Sequence, residues 1–308
     1  MTSTRQAMLF PELNSPCDSK PVNVASVPLR SPFRYPGGKT WFVPAFREWM
    51  SHKHPKPEML VEPFAGGGII SLTALFENHV NQVVMVEQDE EVAAVWKSVV
   101  SGDGPWLADR ILSFNISRES VLSELSKPAD EIREKAFQTI LKNRTFHGGV
   151  LAKGSGLIKL GENGKGIRSR WYPKTLAKRL LNMEKISTRI DFRCEDGLKV
   201  MMDFFDREKT VFFIDPSYTA GGKKAGKRLY KHSNIDHEKL FAICETLRGD
   251  FLMTYDNADE VKELARRHEF STRLIPMKNT HHAKMQELVI GRDLTWMDKS
   301  EMAYEAIS

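Results

Sequence analysis

"EMLVEPFAGGGIISLTALF", residues 58–76, is the stretch that most directly decides the fold. Its short apolar run predicts a strand, its three consecutive glycines predict a tight turn, and the apolar residues after them predict a helix. Glycines at 66–68 let the backbone turn sharply and leave the amino end of the helix open, where free N–H groups favour an anion. Ile69 and Ser71 break the G-x-G-x-x-G pattern, which disfavours a pyrophosphate site. A turn that serves packing alone is the open alternative.

The same strand–turn–helix pattern recurs in residues 81–100, where Val83–Val86 predicts the strand and an acidic turn leads into the helix. From Trp106 to Lys142 the periodicity is helical, residues 144–173 are rich in glycine and basic side chains, and helix returns from Lys174 to Ile186. Strands alternating with helices are typical of an α/β, doubly wound, mostly parallel sheet, here interrupted by a helical insert. Further strands are predicted within residues 188–201 and at Val211–Ile214, Phe251–Thr254, Thr272–Pro276 and Glu287–Ile290.

The composition indicates a soluble protein with one large core. The chain has 308 residues, of which 41% are hydrophobic and 28% charged, and no apolar stretch is long enough to span a membrane or to form a signal peptide. Three widely spaced cysteines fit a reducing cytoplasm and offer no metal-ligand spacing, so we expect no metal site. The net charge of +5 permits a polyanionic partner, and the basic residues concentrate in residues 142–179 and 223–231.

Two acids follow predicted strands where a nucleoside could bind. Glu87 ends the second strand, the position that holds ribose hydroxyls in doubly wound folds, although an acid there also suits a solvated helix start. Asp196 could accept a hydrogen bond from an adenine amino group, or it could cap the helix that begins near Leu198.

A third acid stands in "KTVFFIDPSYTAGGKK", residues 209–224, where the buried strand is followed by Asp215, Pro216, Ser217 and Tyr218. Asp-Pro is common where strands stop, so turn chemistry and an active site are both open on this segment alone. Because the carboxyl ends of parallel strands meet at one edge of a sheet, a nucleoside-containing cofactor and a carboxylate–tyrosine pair would share one crevice.

Taken in order, the motifs "FRYPGGK", "VEPFAGGG", "VEQD" and "DPSY" resemble those of the Dam-like DNA adenine N6-methyltransferases, which use S-adenosylmethionine. "LKNRTFHGG" and "RWYP", in the helical insert, belong to the same resemblance, which covers residues 31–295. It implies a seven-stranded, mostly parallel methyltransferase sheet with an inserted helical target-recognition domain. It also implies double-stranded DNA as partner, a cytoplasmic, nucleoid-associated location and a bacterial or phage origin.

The resemblance divides the chain into a discontinuous catalytic domain, residues 31–105 and 190–298, and a DNA target-recognition insert, residues 106–189. Residues 1–30, with many prolines and serines, are predicted to be a disordered tail, and residues 299–308 a C-terminal tail.

Residue roles also follow from the resemblance. The carboxylate of Asp215 and the carbonyl of Pro216 would accept the two hydrogens of the adenine amino group, and Tyr218 would stack on the base. The expected cofactor-binding residues are Tyr35, Pro36, Gly37, Lys39, Glu62, Pro63, Phe64, Gly66, Gly68, Glu87, Asp196 and Asp215. The expected DNA-binding residues are Asn143, Arg144, His147, Lys153, Arg168 and Arg170, and Lys159 and Lys165 are further basic candidates.

The chemistry explains why a carboxylate would stand beside an aromatic ring. An exocyclic amino nitrogen is a poor nucleophile because its lone pair is delocalised into the ring, and two acceptors aimed at its N–H bonds favour a pyramidal nitrogen. A base inside a duplex is out of reach, so it must be flipped out and held by stacking. Methylation of cytosine C5 fits poorly, because it needs a thiolate and the only Pro-Cys, Pro16-Cys17, lies in the tail.

Two departures from the family pattern keep alternatives open. Ser217 stands where the family usually has a second proline, which leaves open a catalytically faded, methyltransferase-like DNA-binding protein. The insert lacks F-N-x-P-x-G, so GATC is not predicted as the recognition site. A structured RNA substrate with the same chemistry is the third interpretation.

The tail carries one partner hypothesis. Gln6–Phe10, "QAMLF", resembles the short peptide by which proteins dock on the bacterial replication sliding clamp, and a disordered tail suits such a peptide. If this hypothesis is correct, changing Leu9 and Phe10 together to alanine abolishes clamp capture in a pull-down. Unchanged capture would reject it.

Overall fold

The computed structural model describes residues 27–35, 37–151, 154–161, 164–217, 235–278 and 284–298. A seven-stranded sheet in the order β3-β2-β1-β4-β5-β7-β6 forms its centre; β7 pairs antiparallel with both β5 and β6, and the other strand pairs are parallel. The predicted α/β fold with a mostly parallel, seven-stranded sheet is thus confirmed. The strands are β1 Met59–Glu62, β2 Gln82–Val86, β3 Ile190–Arg193, β4 Thr210–Ile214, β5 Asp250–Asp256, β6 Ser271–Lys278 and β7 Lys284–Gly291.

Both faces of the central strands are buried, which is why these strands read as unbroken apolar runs. In β4, Val211 and Phe213 belong to one apolar cluster, whereas Phe212 and Ile214 belong to the cluster on the opposite face. Side chains of a strand alternate between its two faces, so one short segment contributes to two layers.

Helices cover both faces. The first cluster receives side chains from α1 Val43–Ser51, α2 Ile69–Phe76, α3 Glu90–Val100, α4 Gly104–Ser113, α5 Arg118–Ser126, α6 Ile132–Thr145 and α7 Pro173–Met183. The second cluster receives them from α8 Gly197–Asp203, α9 His237–Thr246 and α10 Asp259–Arg267. None of the helices in the described ranges has both the length and the apolar character that a membrane crossing requires.

The described helices of the insert pack against the core that covers the sheet. Helix α6 packs on α3, and α4 packs on α7. Leu107, Phe137 and Leu180, one from each of α4, α6 and α7, belong to the same buried cluster as the strands. The reason is that each of these helices has one apolar face, which it buries against the existing core rather than in a core of its own.

The basic, glycine-rich stretch follows α6 and contains little regular structure. Its described residues form 3₁₀ turns at His147–Gly149 and Gly166–Arg170 and a β-bridge between Phe146 and Leu157. Lys153 lies outside the described residues.

The packed chain begins earlier than the predicted boundary at residue 31. Val27 is buried in the first cluster, and the guanidinium of Arg30 donates to Oε1 of Glu77 over 2.8 Å. Glu77 also accepts from Nε of Arg47 over 2.7 Å and from its second terminal nitrogen over 2.6 Å. This carboxylate at the end of α2 therefore joins the N-terminal segment to α1.

Three side chains of α6 and α7 hold the next residues of the N-terminal segment through its backbone. The Asn143 side-chain oxygen accepts from the backbone N–H of Arg34 over 2.8 Å, and its nitrogen donates to the Arg34 and Gly149 carbonyls, both over 2.9 Å. Arg144 donates to the carbonyl of Pro32, and Arg179 donates to that of Ser31 over 2.9 Å. The helical insert thus positions residues 31–34 directly before the predicted cofactor segment.

Replacing Glu77 by Gln should weaken the fold in a pH-dependent way. Burial opposes the charge of Glu77, but the hydrogen bonds and charges of Arg47 and Arg30 outweigh it and lower its pKa from 4.5 to about 2. The carboxylate therefore contributes stability that is complete above pH 4.5 and is lost as the pH falls towards 2. Because the pair is partly solvated, we expect Glu77→Gln to lower the free energy of unfolding at pH 7 by only about 1–2 kcal/mol, measured by urea denaturation.

The matched control is Glu58→Gln, which removes the exposed ion pair with Lys209 and should cost less than about 0.5 kcal/mol. A loss in Glu77→Gln that stays the same from pH 7 to pH 2.5 would contradict the electrostatic explanation.

Replacing Asn143 by Ala should loosen the N-terminal segment. The substitution leaves one N–H and two carbonyls without their side-chain partner, which we expect to cost about 2–3 kcal/mol in urea denaturation and to speed amide hydrogen exchange at Arg34. Asn115→Ala, at an exposed asparagine before α5, is the control. Equal exchange at Arg34 in the variant and the wild type would refute a positioning role for Asn143.

Candidate active site at the carboxyl edge of the sheet

Four carboxylates from four strands meet at the carboxyl edge of the sheet. Glu62 ends β1, while Glu87 and Asp215 directly follow β2 and β4. Glu287 comes from β7, where it stands opposite Asp256, the last residue of β5. Because β7 is antiparallel, its amino end reaches the edge at which the parallel strands end.

Lys39 lies between two of these carboxylates. Its ammonium is 2.8 Å from Oδ1 of Asp215 and 3.0 Å from Oε1 of Glu287, and it donates to the Gly37 carbonyl over 3.2 Å. The side chain is only 5% exposed. Burial opposes the charge of this lysine, but the two carboxylates outweigh burial and raise its pKa above the ordinary value.

The Asp215 side chain is fixed from a second direction by β5. The hydroxyl of Thr254, which is fully buried, donates to Oδ1 of Asp215 over 3.0 Å. The carboxylate remains 20% exposed, Pro216 is buried and Ser217 is partly exposed. Tyr218 lies outside the described residues. Asp215 is thus held in one orientation while part of it faces solvent.

The glycine turn has the geometry that its sequence predicts. Gly66 and Gly68 have φ angles of +47° and +63°, which favour glycine. A Cβ on Gly66 would lie 2.6 Å from the ring of Tyr35, and one on Gly68 would lie 2.9 Å from the ring of Trp96. Trp96 also donates from its indole nitrogen to the Gly66 carbonyl over 2.9 Å. The turn is therefore packed tightly on one side by Tyr35 and on the other by Trp96.

Glu87 lies directly beside this turn. It accepts from the backbone N–H of Gly66 over 3.1 Å and from that of Asp89 over 2.8 Å, and the Tyr35 hydroxyl is 3.5 Å away. Removal from water raises the pKa of Glu87 to about 7, against the opposing effect of the backbone donors. The sequence left open that Glu87 serves the start of helix α3. In the structure Asp89 caps that helix, by accepting from the N–H of Glu91.

Glu62, the carboxylate of this edge that comes from β1, makes its described hydrogen bonds to α2. It is buried and accepts hydrogen bonds from the backbone N–H of Ser71, over 3.0 Å, and from the Ser71 hydroxyl. Burial raises its pKa to about 8 even though these hydrogen bonds act in the opposite direction. Its neighbours Pro63 and Phe64 are buried and partly buried. The described contacts of Glu62 thus anchor α2 below the glycine turn.

Asp196 acts as a helix cap, one of its two predicted roles. Its Oδ1 accepts from the backbone N–H groups of Leu198 and Lys199 over 2.8 and 3.1 Å. Its Oδ2 is 3.4 Å from the side-chain nitrogen of Gln88, so the loop after β3 contacts the loop after β2.

The predicted DNA-binding residues separate into two groups. Asn143 and Arg144 are 1% and 4% exposed, and their side chains bind backbone groups of the N-terminal segment. Burial is the main cause that lowers the pKa of Arg144 to about 9, a value that still leaves it charged at neutral pH. His147, Lys159, Lys165 and Arg168 are exposed and Arg170 is partly exposed. Pro36, like Lys153, lies outside the described residues.

Sequence reasoning missed two residues of this edge, Thr254 and Glu287. Glu287 is one acid at the start of an apolar strand, "ELVI", and a buried carboxylate requires a partner, so it could have been flagged. Its partner could not have been named, because nothing in the local pattern places β7 beside β5. Thr254 carries no signal beyond its position in a buried strand.

Several solved structures are similar to this chain at low sequence identity. A putative RNA methyltransferase from Pyrococcus horikoshii is 10% identical, with 84% of this chain and 83% of that chain covered and a TM-score of 0.39. An rRNA methyltransferase from Streptomyces viridochromogenes is 12% identical, with coverages of 82% and 84% and a TM-score of 0.36. A putative class I S-adenosylmethionine-dependent methyltransferase from Listeria monocytogenes is 8% identical, with coverages of 86% and 62% and a TM-score of 0.37.

No curated protein matches the chain significantly. A family model matches residues 35–118, the segment that contains Lys39, the glycine turn and Glu87. The resemblance stated from the motifs is thereby confirmed over this segment: residues 35–118 carry the features of the D12 class N6 adenine-specific DNA methyltransferase family.

Proposed function

We propose that the protein transfers a methyl group from S-adenosylmethionine to the N6 amino group of a flipped-out adenine in double-stranded DNA. The observation that carries this proposal is the position of Asp215 and Pro216, which directly follow β4 at the same edge as the glycine turn and Glu87. The family match over residues 35–118 supports adenine in DNA as the target class.

The residues of this edge suit the cofactor. Gly67, the partly exposed residue of the glycine turn, can approach a ligand through its backbone, and the partly exposed Glu87 can accept from ribose hydroxyls. When bound, S-adenosylmethionine supplies an electrophilic methyl group. Tyr35 and Lys39 would bracket its site, since the Tyr35 ring lies against the turn and Lys39 lies beside Asp215.

Asp215 and Pro216 would orient the nucleophile. A carboxylate and a carbonyl that accept the two amino hydrogens draw the nitrogen towards a pyramidal form and stabilise the positive charge that develops on it. Thr254 and Lys39 hold the Asp215 side chain, so this acceptor needs little reorganisation. Tyr218, outside the described residues, is proposed to stack on the base.

The helical and basic segment of residues 106–189 is proposed to bind DNA and to select the target. Its exposed side chains His147, Lys159, Lys165 and Arg168 can reach phosphates, and Arg170 and Lys153 complete the proposed set. Asn143 and Arg144 would act indirectly, by holding residues 31–34 against α6. The clamp-binding hypothesis concerns Gln6–Phe10, which lie outside the described residues.

A catalytically faded DNA-binding protein is the second candidate, favoured by Ser217 in place of the usual second proline. The contacts of Asp215 with Lys39 and Thr254 argue against it, because a carboxylate held by two specific partners is what the reaction requires. Ser217→Pro is the variant that separates a loosened enzyme from an inactive one.

Replacing Asp215 by Asn should separate chemistry from cofactor binding. We expect single-turnover methyl transfer to DNA to fall by about 100-fold or more, because the nitrogen loses its charged acceptor, while the dissociation constant for S-adenosylmethionine changes far less. Glu87→Ala should give the opposite pattern, with weaker cofactor binding and a smaller loss of rate at saturating cofactor. Rates come from labelled methyl transfer and affinities from calorimetry.

Asp203→Asn is the control, since Asp203 is an exposed residue at the end of α8 whose described ion pair is with Arg193. Equal losses of binding and rate in Asp215→Asn would refute the proposed role of Asp215.

Genomic DNA from a methylation-free host that expresses the folded protein should contain N6-methyladenine at one recurrent motif, and unmodified DNA would refute the proposed substrate.

A further inference from the structure

Glu287 belongs to the reacting edge although no motif of the sequence includes it. Its side chain is 7% exposed, and its Oε1 lies 3.0 Å from the ammonium of Lys39. The residue lies in β7, outside residues 35–118 and far from the Asp215 segment in sequence. The antiparallel course of β7 is what brings this carboxylate to the edge.

The distances show one cation shared by two acids. Lys39 is 2.8 Å from Asp215 and 3.0 Å from Glu287, so neither carboxylate has the ammonium to itself. Buried charges are costly unless paired, and the coupling among three such groups is strong at low dielectric. The three formal charges of this cluster sum to one negative charge, which a lysine with a single acidic partner would lack.

We propose that Glu287 is a positioning residue for methyl transfer, which holds the ammonium of Lys39 so that Asp215 keeps its capacity to accept a hydrogen bond from the target amino group. This inference rests on the proposed function. Without Glu287, Asp215 is the one described carboxylate that still faces the ammonium, on the same oxygen that Thr254 already contacts. The Asp215 carboxylate then offers less negative charge to the amino group, because it alone of the two acids neutralises the lysine.

The first experiment tests the charge pairing on the protein alone, without any reaction. Lys39→Gln leaves the Asp215 and Glu287 carboxylates without their shared cation, so we expect the melting temperature to fall by about 5 °C or more. Adding Glu287→Gln to this variant removes the like-charge repulsion and should restore part of that loss. Independent structural roles would instead make the two losses add, and additivity would overturn the proposal.

The second experiment measures methyl transfer. Glu287→Gln should reduce the single-turnover rate on DNA by about tenfold or more, while KM for DNA and the cofactor dissociation constant change by less than about threefold. Glu287→Asp, which keeps the charge, should retain more of the rate than Glu287→Gln. In the Lys39→Gln background, Glu287→Gln should slow the reaction no further, because its effect acts through the lysine.

Glu263→Gln, at an exposed acid on α10, is the matched control and should change neither the melting temperature nor the rate. A rate in Glu287→Gln equal to that of the wild type would overturn the positioning role. Another outcome is that the wild-type protein melts cooperatively, and Glu287→Gln restores part of the melting temperature that Lys39→Gln loses, while the wild-type protein transfers no methyl group to DNA. In that case the proposed function fails, and the positioning role of Glu287 in methyl transfer fails with it. If the protein methylates DNA but Glu287→Gln restores none of the melting temperature lost in Lys39→Gln, the proposed role of Glu287 is rejected and the proposed function stands.

Discussion

The buried ammonium of Lys39 is the interaction on which the site depends. A charge removed from water costs several kcal/mol unless it is paired and hydrogen-bonded, so the fold must bring acceptors to it. The acceptors are Asp215 after β4, Glu287 in β7 and the backbone carbonyl of Gly37. One cation thereby ties the N-terminal segment to two strands that are far apart in sequence, and the geometry of the proposed acceptor follows from that tie.

The N-terminal segment can place Lys39 only because it is itself held along its length. Arg30 is bound to Glu77 at the end of α2, and Asn143 binds both backbone groups of Arg34. The second anchor comes from the helical insert, whose basic stretch begins directly after α6. Contact between DNA and that stretch would therefore act on a segment that is mechanically joined to the proposed cofactor site. The packing of α4, α6 and α7 into the same cluster as the strands is consistent with this joint role.

A second constraint is the direction of the strands. In a parallel sheet every strand ends at the same edge, and this puts the glycine turn, Glu87 and Asp215 together. An antiparallel strand inserted into such a sheet contributes its amino end instead. That is how Glu287 reaches the edge while Thr254 reaches it from within β5. The antiparallel strand thus supplies the site with a carboxylate, Glu287, that a parallel β7 would have placed towards the opposite edge.

The sequence by itself determined the strands, most helices, the glycine turn and the acids that follow parallel strands, because apolar periodicity and glycine spacing are local properties. The seven predicted strands all occur with ends shifted by only a few residues, and Glu87 and Asp215 lie where their strands end. The tertiary structure decided which polar side chains remain available to a ligand. The sequence pattern suggested Asn143 and Arg144 for DNA binding, but their side chains bind backbone groups more than 100 residues away. Glu287 has the pattern of an ordinary strand residue, but its carboxylate faces Lys39. Burial and partner choice depend on long-range packing, which no local pattern encodes.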